Sequence, residues 1–276
     1  MGADAHRGAR AALARLVSVA PPIDVSHLSK TYRTTSGHEV LAIADLDLRI
    51  DSREVVAIVG QTGCGKSTFF DLMIGLERPT AGSITIGGKT PYDDFEHFRG
   101  QIATVFQQDR LLPWRSAIDN VCLPLELLGL SEKERHDRAL TWLVRFGLEA
   151  AANRYPHELS GGMRQRVAIA RSFVVQPSIL LADEAFGHLD EVTATELRET
   201  FVALARELES TAILITHQLE EAIAVGDRIL VFGQSARLLH DVRAEHWPAP
   251  DHALLREAIQ VTLQTNVADA RLARSA

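Results

Sequence analysis

The sequence predicts an α/β domain built on a mixed, largely parallel sheet, and three observations carry that prediction. From Pro21 onward, short β-branched runs alternate with longer helical patterns, the order of a layered α/β fold. The runs 54–59 (EVVAIV), 178–182 (SILLA), 211–216 (TAILIT) and 228–232 (RILVF) are nearly continuously apolar, as strands covered on both faces are. The runs 41–50 and 82–87 alternate with period two, as antiparallel strands with one wet face do.

Taken in order, residues 1–20 are expected to form a flexible N-terminal extension. Arg15 interrupts its short apolar stretch, which argues against an export signal, and His6 stands where a myristoylation signal needs Ser or Thr. A main domain is expected over 21–245. Within it strand signals fade between about 101 and 177, which reads as a helical insertion. Ser131, with Glu134 three residues on, opens a capping-box helix there that ends near Gly147, with Leu140, Leu143 and Val144 as its buried stripe. A helix over 191–209 places Leu197, Phe201, Leu204 and Leu208 on one face. After Trp247-Pro248-Ala249-Pro250, the segment 246–276 is expected to hold a last helix through Leu254, Leu255, Ala258, Ile259, Thr262 and Leu263, fraying near Arg271.

Composition removes several classes of function. The chain has 276 residues, 46% of them hydrophobic, so it can bury a core without staples. Against 29 Lys+Arg stand 36 Asp+Glu, a net charge of −7 that offers no basic surface for nucleic acid. No apolar stretch approaches the ~20 residues of a membrane span. The two cysteines, Cys64 and Cys122, have neither CxxC nor zinc spacing, which points to a reducing compartment.

Two motifs carry chemistry on their own. Gly60-Gln61-Thr62-Gly63-Cys64-Gly65-Lys66-Ser67 fits G-x-x-x-x-G-K-[ST], between the strand at 54–59 and a helix beginning at Thr68. Its glycines let consecutive N–H groups turn toward phosphates, and the helix N-terminus adds a favourable dipole. Lys66 is placed to reach the β- and γ-phosphates and the Ser67 hydroxyl to coordinate Mg²⁺, with Cys64 as compact filler. The strand 178–182 runs into Asp183-Glu184. Two adjacent carboxylates at a strand end suit a Mg²⁺-nucleotide, Asp183 on the metal and Glu184 polarising the water that attacks the γ-phosphate, although Asp-Glu alone is also an ordinary solvated turn.

A third segment selects a family. Bare Ser-Gly-Gly is a flexible turn, but Leu159-Ser160-Gly161-Gly162-Met163-Arg164-Gln165-Arg166 lies between those motifs and precedes an amphipathic helix, and it resembles the signature of the ATP-binding-cassette (ABC) ATPases. The resemblance runs from about Ile23 to about Leu239. It implies a P-loop NTPase cassette with a RecA-like mixed sheet core, an antiparallel β subdomain and a helical signature subdomain at about 101–177. It implies ATP and Mg²⁺ as cofactors. Gln107 is similar to the Q-loop glutamine that touches Mg²⁺ and the water, His217 to the switch histidine on the γ-phosphate, and Tyr32 to the aromatic that stacks on adenine. Gly187-His188-Leu189-Asp190 resembles the D-loop, with Asp190 at a dimer seam. In the family two cassettes pair head to tail, sandwiching ATP between the residue-60 loop of one and the Ser160-Gly161-Gly162 turn of the other.

The sequence departs from the family pattern at Ala185, where Pro is usual, at His188, where a small residue is common, and at Met163, where Gln is usual. Neither Ala185 nor His188 removes a charged or metal-binding group, so hydrolysis is expected to survive. The segment from Gln107 to Trp114, with Asn120-Val121 and Leu123-Pro124-Leu125, is similar to the nitrate/sulfonate/taurine-type importer cassettes. Leu111, Leu112 and Trp114 are then expected at a permease's coupling helix, the alternative being a core segment of the helical region. The resemblance implies a translocating ATPase subunit on the cytoplasmic face of the cell membrane. Its partners would be a second copy, a separate permease and, indirectly, a solute-binding protein, but no nucleic acid. The alternatives are an exporter of envelope lipid or lipoprotein and a soluble, non-transport cassette ATPase.

Overall fold

The alternating residues near the N-terminus form β1 (Ile23–Arg33) and β2 (Glu39–Ile50), an antiparallel pair with Ile23 opposite Ile50 and Tyr32 opposite Val40. After β3 (Val55–Gly60) and α1 (Lys66–Met73), β4 (Ala81–Ile86) joins the other edge of β1, also antiparallel, with Ile23 opposite Ile86. Ile23, Val25, Leu46, Leu48, Ile84 and Ile86 bury one face of this sheet, and the period of two sets the register. The computed structural model describes residues 20–35, 37–243, 253 and 256–263. These divide into two units, one of residues 21–97 and 211–263, the other of Ala20 and residues 98–210.

The first unit also holds β7 (Thr211–Thr216), α6 (Leu219–Val225), β8 (Arg228–Phe232) and β9 (Leu238–Arg243). β3 pairs in parallel with both β7 and β8, and β9 closes onto β8 antiparallel, so this sheet is mixed. Every residue of β3, β7 and β8 is buried, which is why these strands read as unbroken apolar runs. A buried Arg228 at the start of β8 is held by Asp241 at 2.6 Å, by the Arg49 carbonyl at 2.7 Å and by Glu54 at 3.4 Å. Within this unit 256–263 are helical; residues 1–19, Leu254, Leu255 and 264–276 lie outside the described residues, and with them the expected N-terminal extension and the fraying at Arg271.

The second unit contains β5 (Ile102–Val105), α2 (Ala117–Leu127), α3 (Glu132–Arg145), α4 (Gly161–Phe173), β6 (Ile179–Asp183) and α5 (Glu191–Glu207). β5 and β6 are parallel, with Val105 beside Ala182. The capping box at Ser131 and Glu134 forms as expected. A chain of aromatic contacts crosses the unit: Trp142 to Phe173 at 5.5 Å, Phe173 to Phe201 at 5.4 Å and Phe201 to Phe186 at 6.0 Å between ring centroids. It joins α3, α4 and α5 to the turn that follows β6.

Three expectations are corrected. A strand, β5, stands at the start of the stretch from 101 to 177 where strand signals fade. The buried stripe of α3 is Ala139, Trp142 and Leu143, while Val144 is exposed, because a helical step of 100° turns it away from Leu143. Leu111 is buried, so the apolar run from Leu111 to Trp114 is only partly a surface: Trp114 is 71% exposed.

Candidate active site

The loop expected to hold phosphate, after β3, is built by close approach of backbone to backbone. A Cβ on Gly60 would stand 2.6 Å from the Phe232 carbonyl oxygen, and one on Gly65 (φ +115°) 2.3 Å from that of Ala42. Neither position has room for a side chain. Lys66 is buried and donates to the carbonyl oxygens of Gly60 at 2.6 Å and Gln61 at 3.0 Å, so its ammonium lies within the curve of this loop. Cys64 is buried 4.0 Å from that ammonium; burial pushes its thiol up, against the pull of Lys66, and fits it to filling rather than reaction. Gln61, Thr62, Gly63 and Ser67 are exposed, while Thr68 continues the first turn of α1.

A turn that sequence reasoning missed holds the loop from behind. The Ala236 N–H donates to the Cys64 carbonyl at 2.6 Å, and the Ser235 hydroxyl to the Leu41 carbonyl at 2.8 Å. Both residues sit in the left-handed region, at φ +50° and +55°. Nothing in a Gln-Ser-Ala string signals that conformation. His217 follows β7, whose Thr216 lies in register with Val59, the residue before Gly60. Its exposed ring is therefore carried on the strand beside the phosphate loop, at the same end. The Thr216 hydroxyl donates to Glu221 and accepts from the Gln218 N–H at 3.0 Å, which fixes this turn. Tyr32 is half-buried near the end of β1, with the Lys30 ammonium 4.9 Å from its ring centroid.

The other unit assembles the acids. Because Val105 pairs with Ala182, the segments after β5 and β6 leave at one end, and Gln107 Nε2 donates to Glu184 Oε2 at 3.3 Å. Glu184 has φ +45°, a strained conformation for a residue with a side chain. The buried Gln165 of α4 donates to the carbonyl of the next residue, Ala185, and so ties the signature helix to this turn. Asp183 and Glu184 are partly buried.

Ser160 is the N-cap of α4 and accepts from the Met163 N–H at 3.3 Å, which leaves its O–H as a donor. A Cβ on Gly161 or Gly162 would find its nearest atoms at 3.9 and 3.5 Å, ordinary contacts, and neither glycine has a positive φ. The fold does not require glycine at either place. Two glycines at a helix start leave its first N–H groups free of side-chain cover, an arrangement that suits an anion. Asp190 caps α5, accepting from the Thr193 N–H at 3.0 Å, a bond that holds its carboxyl below the usual range.

Taken unit by unit, the donor groups suit parts of a magnesium nucleotide: in the first, N–H groups and the Lys66 ammonium suit phosphates and the Ser67 hydroxyl a hard cation, and in the second Gln107 and Asp183 offer hard oxygens. Residues 43–187 match the family model described as ABC transporter. The chain belongs to the ABC transporter family. The cassette is similar to the aliphatic sulfonates import ATP-binding protein SsuB of Pseudomonas putida, with 43% identity covering 74% of this chain and 71% of the relative. It is also similar to the methionine import ATP-binding protein MetN 1 of Pseudomonas syringae, with 37% identity covering 86% and 72%. Its fold matches a dimeric post-hydrolysis structure of the ATP-binding cassette MJ0796 bound to ADP and Pi. That match has a TM-score of 0.73 and 33% identity, over 80% of this chain and 98% of the other. The cassette is thus an ABC ATPase. Among the described residues, no helix is long and apolar enough to cross a membrane.

Proposed function

We propose that this ATPase is the energising subunit of an importer for a small anionic or zwitterionic solute, in the nitrate, sulfonate, taurine and methionine range, acting through a separate permease at the cytoplasmic face of the cell membrane. The observation that carries the reading is the hydrogen bond from Gln107 to Glu184, in a chain whose loop after Gln107 ends in an exposed Trp114. It gives one short segment two ends, one on the acid that works on water and one on a surface an apolar partner can cover. The names of the sulfonate and methionine import relatives support the direction of transport.

In this reading the loop at 60–68 and Lys66 hold the triphosphate, Tyr32 stacks on the base, and His217 hydrogen-bonds the γ-phosphate. Glu184 takes the proton of the attacking water, oriented by Gln107. Ser67, Gln107 and Asp183 would hold Mg²⁺, which when bound would neutralise charge on the phosphates. Ser160, Gly161 and Gly162 of a second copy complete the γ-phosphate contacts, with Asp190 at the seam between copies.

The test is co-expression of this chain with a permease encoded in its gene neighbourhood, followed by membrane fractionation and measurement of ATPase activity in the purified complex. Co-purification, and its loss in Trp114→Ala while the isolated subunit keeps its activity, is the expected result. A chain that stays in the soluble fraction beside its permease overturns the proposal. Thermal-shift screening of the cognate binding protein then selects the solute.

A further inference from the structure

The helical residues 256–263 are not part of the ATP site, yet they touch it at two points. Ile259 is 1% exposed and packs into a cluster with Ala57 and Val59 of β3, Leu219 and Ala222 of α6, and Ile229 and Val231 of β8. β3 is the strand that runs into the phosphate loop, and α6 is the helix that follows His217. One buried side chain is therefore wedged between the two elements that deliver phosphate-binding groups. At the end of the segment, the Leu263 carbonyl accepts from the side-chain amide of Gln61, inside the loop itself, at 3.2 Å.

Two polar contacts fix the segment along its length. Arg256 pairs with Glu220 of α6 at 3.2 Å. His240 of β9 meets the Thr262 hydroxyl at 2.8 Å; that hydroxyl gives its proton to the Ala258 carbonyl at 3.0 Å, so it accepts from His240 Nε2–H. The segment is thus pinned on β9, on α6 and on the phosphate loop. Fixing a loop beforehand removes an ordering cost from ligand binding.

We propose that residues 256–263 are a positioning brace for the nucleotide, setting ATP affinity through Gln61 and through the packing of Ile259. The side chain of Gln61 then works backward onto Leu263 rather than forward onto phosphate. The proposal rests on the reading of residues 60–67 as the phosphate loop.

The test is titration of the full chain with a fluorescent ATP analogue, together with steady-state ATPase kinetics, for Gln61→Ala, Ile259→Ala and the double variant. Each single change is expected to raise Kd and KM for ATP about three- to tenfold with kcat kept within about twofold, and the double variant to be no worse than the worse single. Ile259→Val is expected to stay near the parent. Lys66→Ala is run beside them: if it binds ATP normally, the reading of the phosphate loop fails; if it loses ATP while both single variants bind as the parent does, the brace alone fails. A lowered melting temperature of Ile259→Ala with unchanged KM, or additive effects in the double variant, also overturns the brace, since the first is mere stability and the second a direct contact of Gln61 with nucleotide.

Discussion

Gln107 Nε2 lies 3.3 Å from Glu184 Oε2, and the two side chains reach each other because the strands beneath them, β5 and β6, pair Val105 with Ala182. A parallel register one residue out would put the two side chains on opposite faces of the sheet. The pair is thus a product of strand register as much as of residue choice.

Glu184→Gln keeps the shape and the contact to Gln107 while removing the proposed base. We expect ATP binding to persist and kcat to fall by about 10²–10⁴, the usual worth of a positioned general base. Gel filtration with ATP is expected to show a dimer that no longer turns over. Turnover at the parent rate would assign the proton transfer elsewhere.

Gln165→Ala leaves the Ala185 carbonyl without its buried donor. A lost partner of that kind costs about 1–3 kcal/mol, so urea unfolding should show a lowered midpoint. Because the same carbonyl adjoins Glu184 at φ +45°, kcat is expected to fall as well, with KM for ATP nearly unchanged. An equal loss in both would mean that the bond serves stability and substrate binding rather than the aim of Glu184.

Gly65→Ala has no strain-free solution, since φ +115° disfavours any side chain and the new Cβ would press on the Ala42 carbonyl. Isothermal titration should show ATP affinity lower by more than about tenfold, or ~1.4 kcal/mol. Gly63→Ala, also at positive φ but with no atom within 4 Å of its Cβ, is expected to be the milder of the two.

His27 sits in a bulge of β1 with its Nδ1 2.9 Å from Asp45 and 3.5 Å from Asp47. The hydrogen bond to Asp45, then the charges of Asp47 and Asp45, raise its pKa above 6.5. A raised folded-state value means that the stabilisation is complete below pH 6.5 and is lost as pH climbs through the folded-state pKa. An NMR titration should find the imidazole above 6.5, and Asp45→Asn should bring it down. An unmoved resonance in that variant would remove Asp45 as the cause.

The parts legible in the sequence were those with one dominant physical signal. β7 and β8 occupy the residues expected of them, since a strand buried on both faces is an apolar run bounded by polar residues. The strand–loop–helix around residues 60–66 and the Ser131 capping box were legible because backbone geometry restricts the residue types there. β1 was not legible, because the bulge at His27 breaks its alternation, and β5 was too short at four residues to stand out beside helical neighbours. Gln165, Ser235, Ala236 and the bond from Gln61 to Leu263 stayed hidden because each joins segments by a contact that no local pattern encodes.

The bare start of α4 has an evolutionary consequence. Alanine at Gly161 or Gly162 meets no obstacle, and exchanging glycine for alanine in a helix gains up to about 0.5–1 kcal/mol, less in the first turn. Under the proposed function, thermal robustness and ATP recognition therefore pull these two adjacent positions in opposite directions. A laboratory selection scored on melting temperature alone would drift toward alanine at both and harvest a sturdier protein which, if the proposed pairing holds, no longer engages its twin.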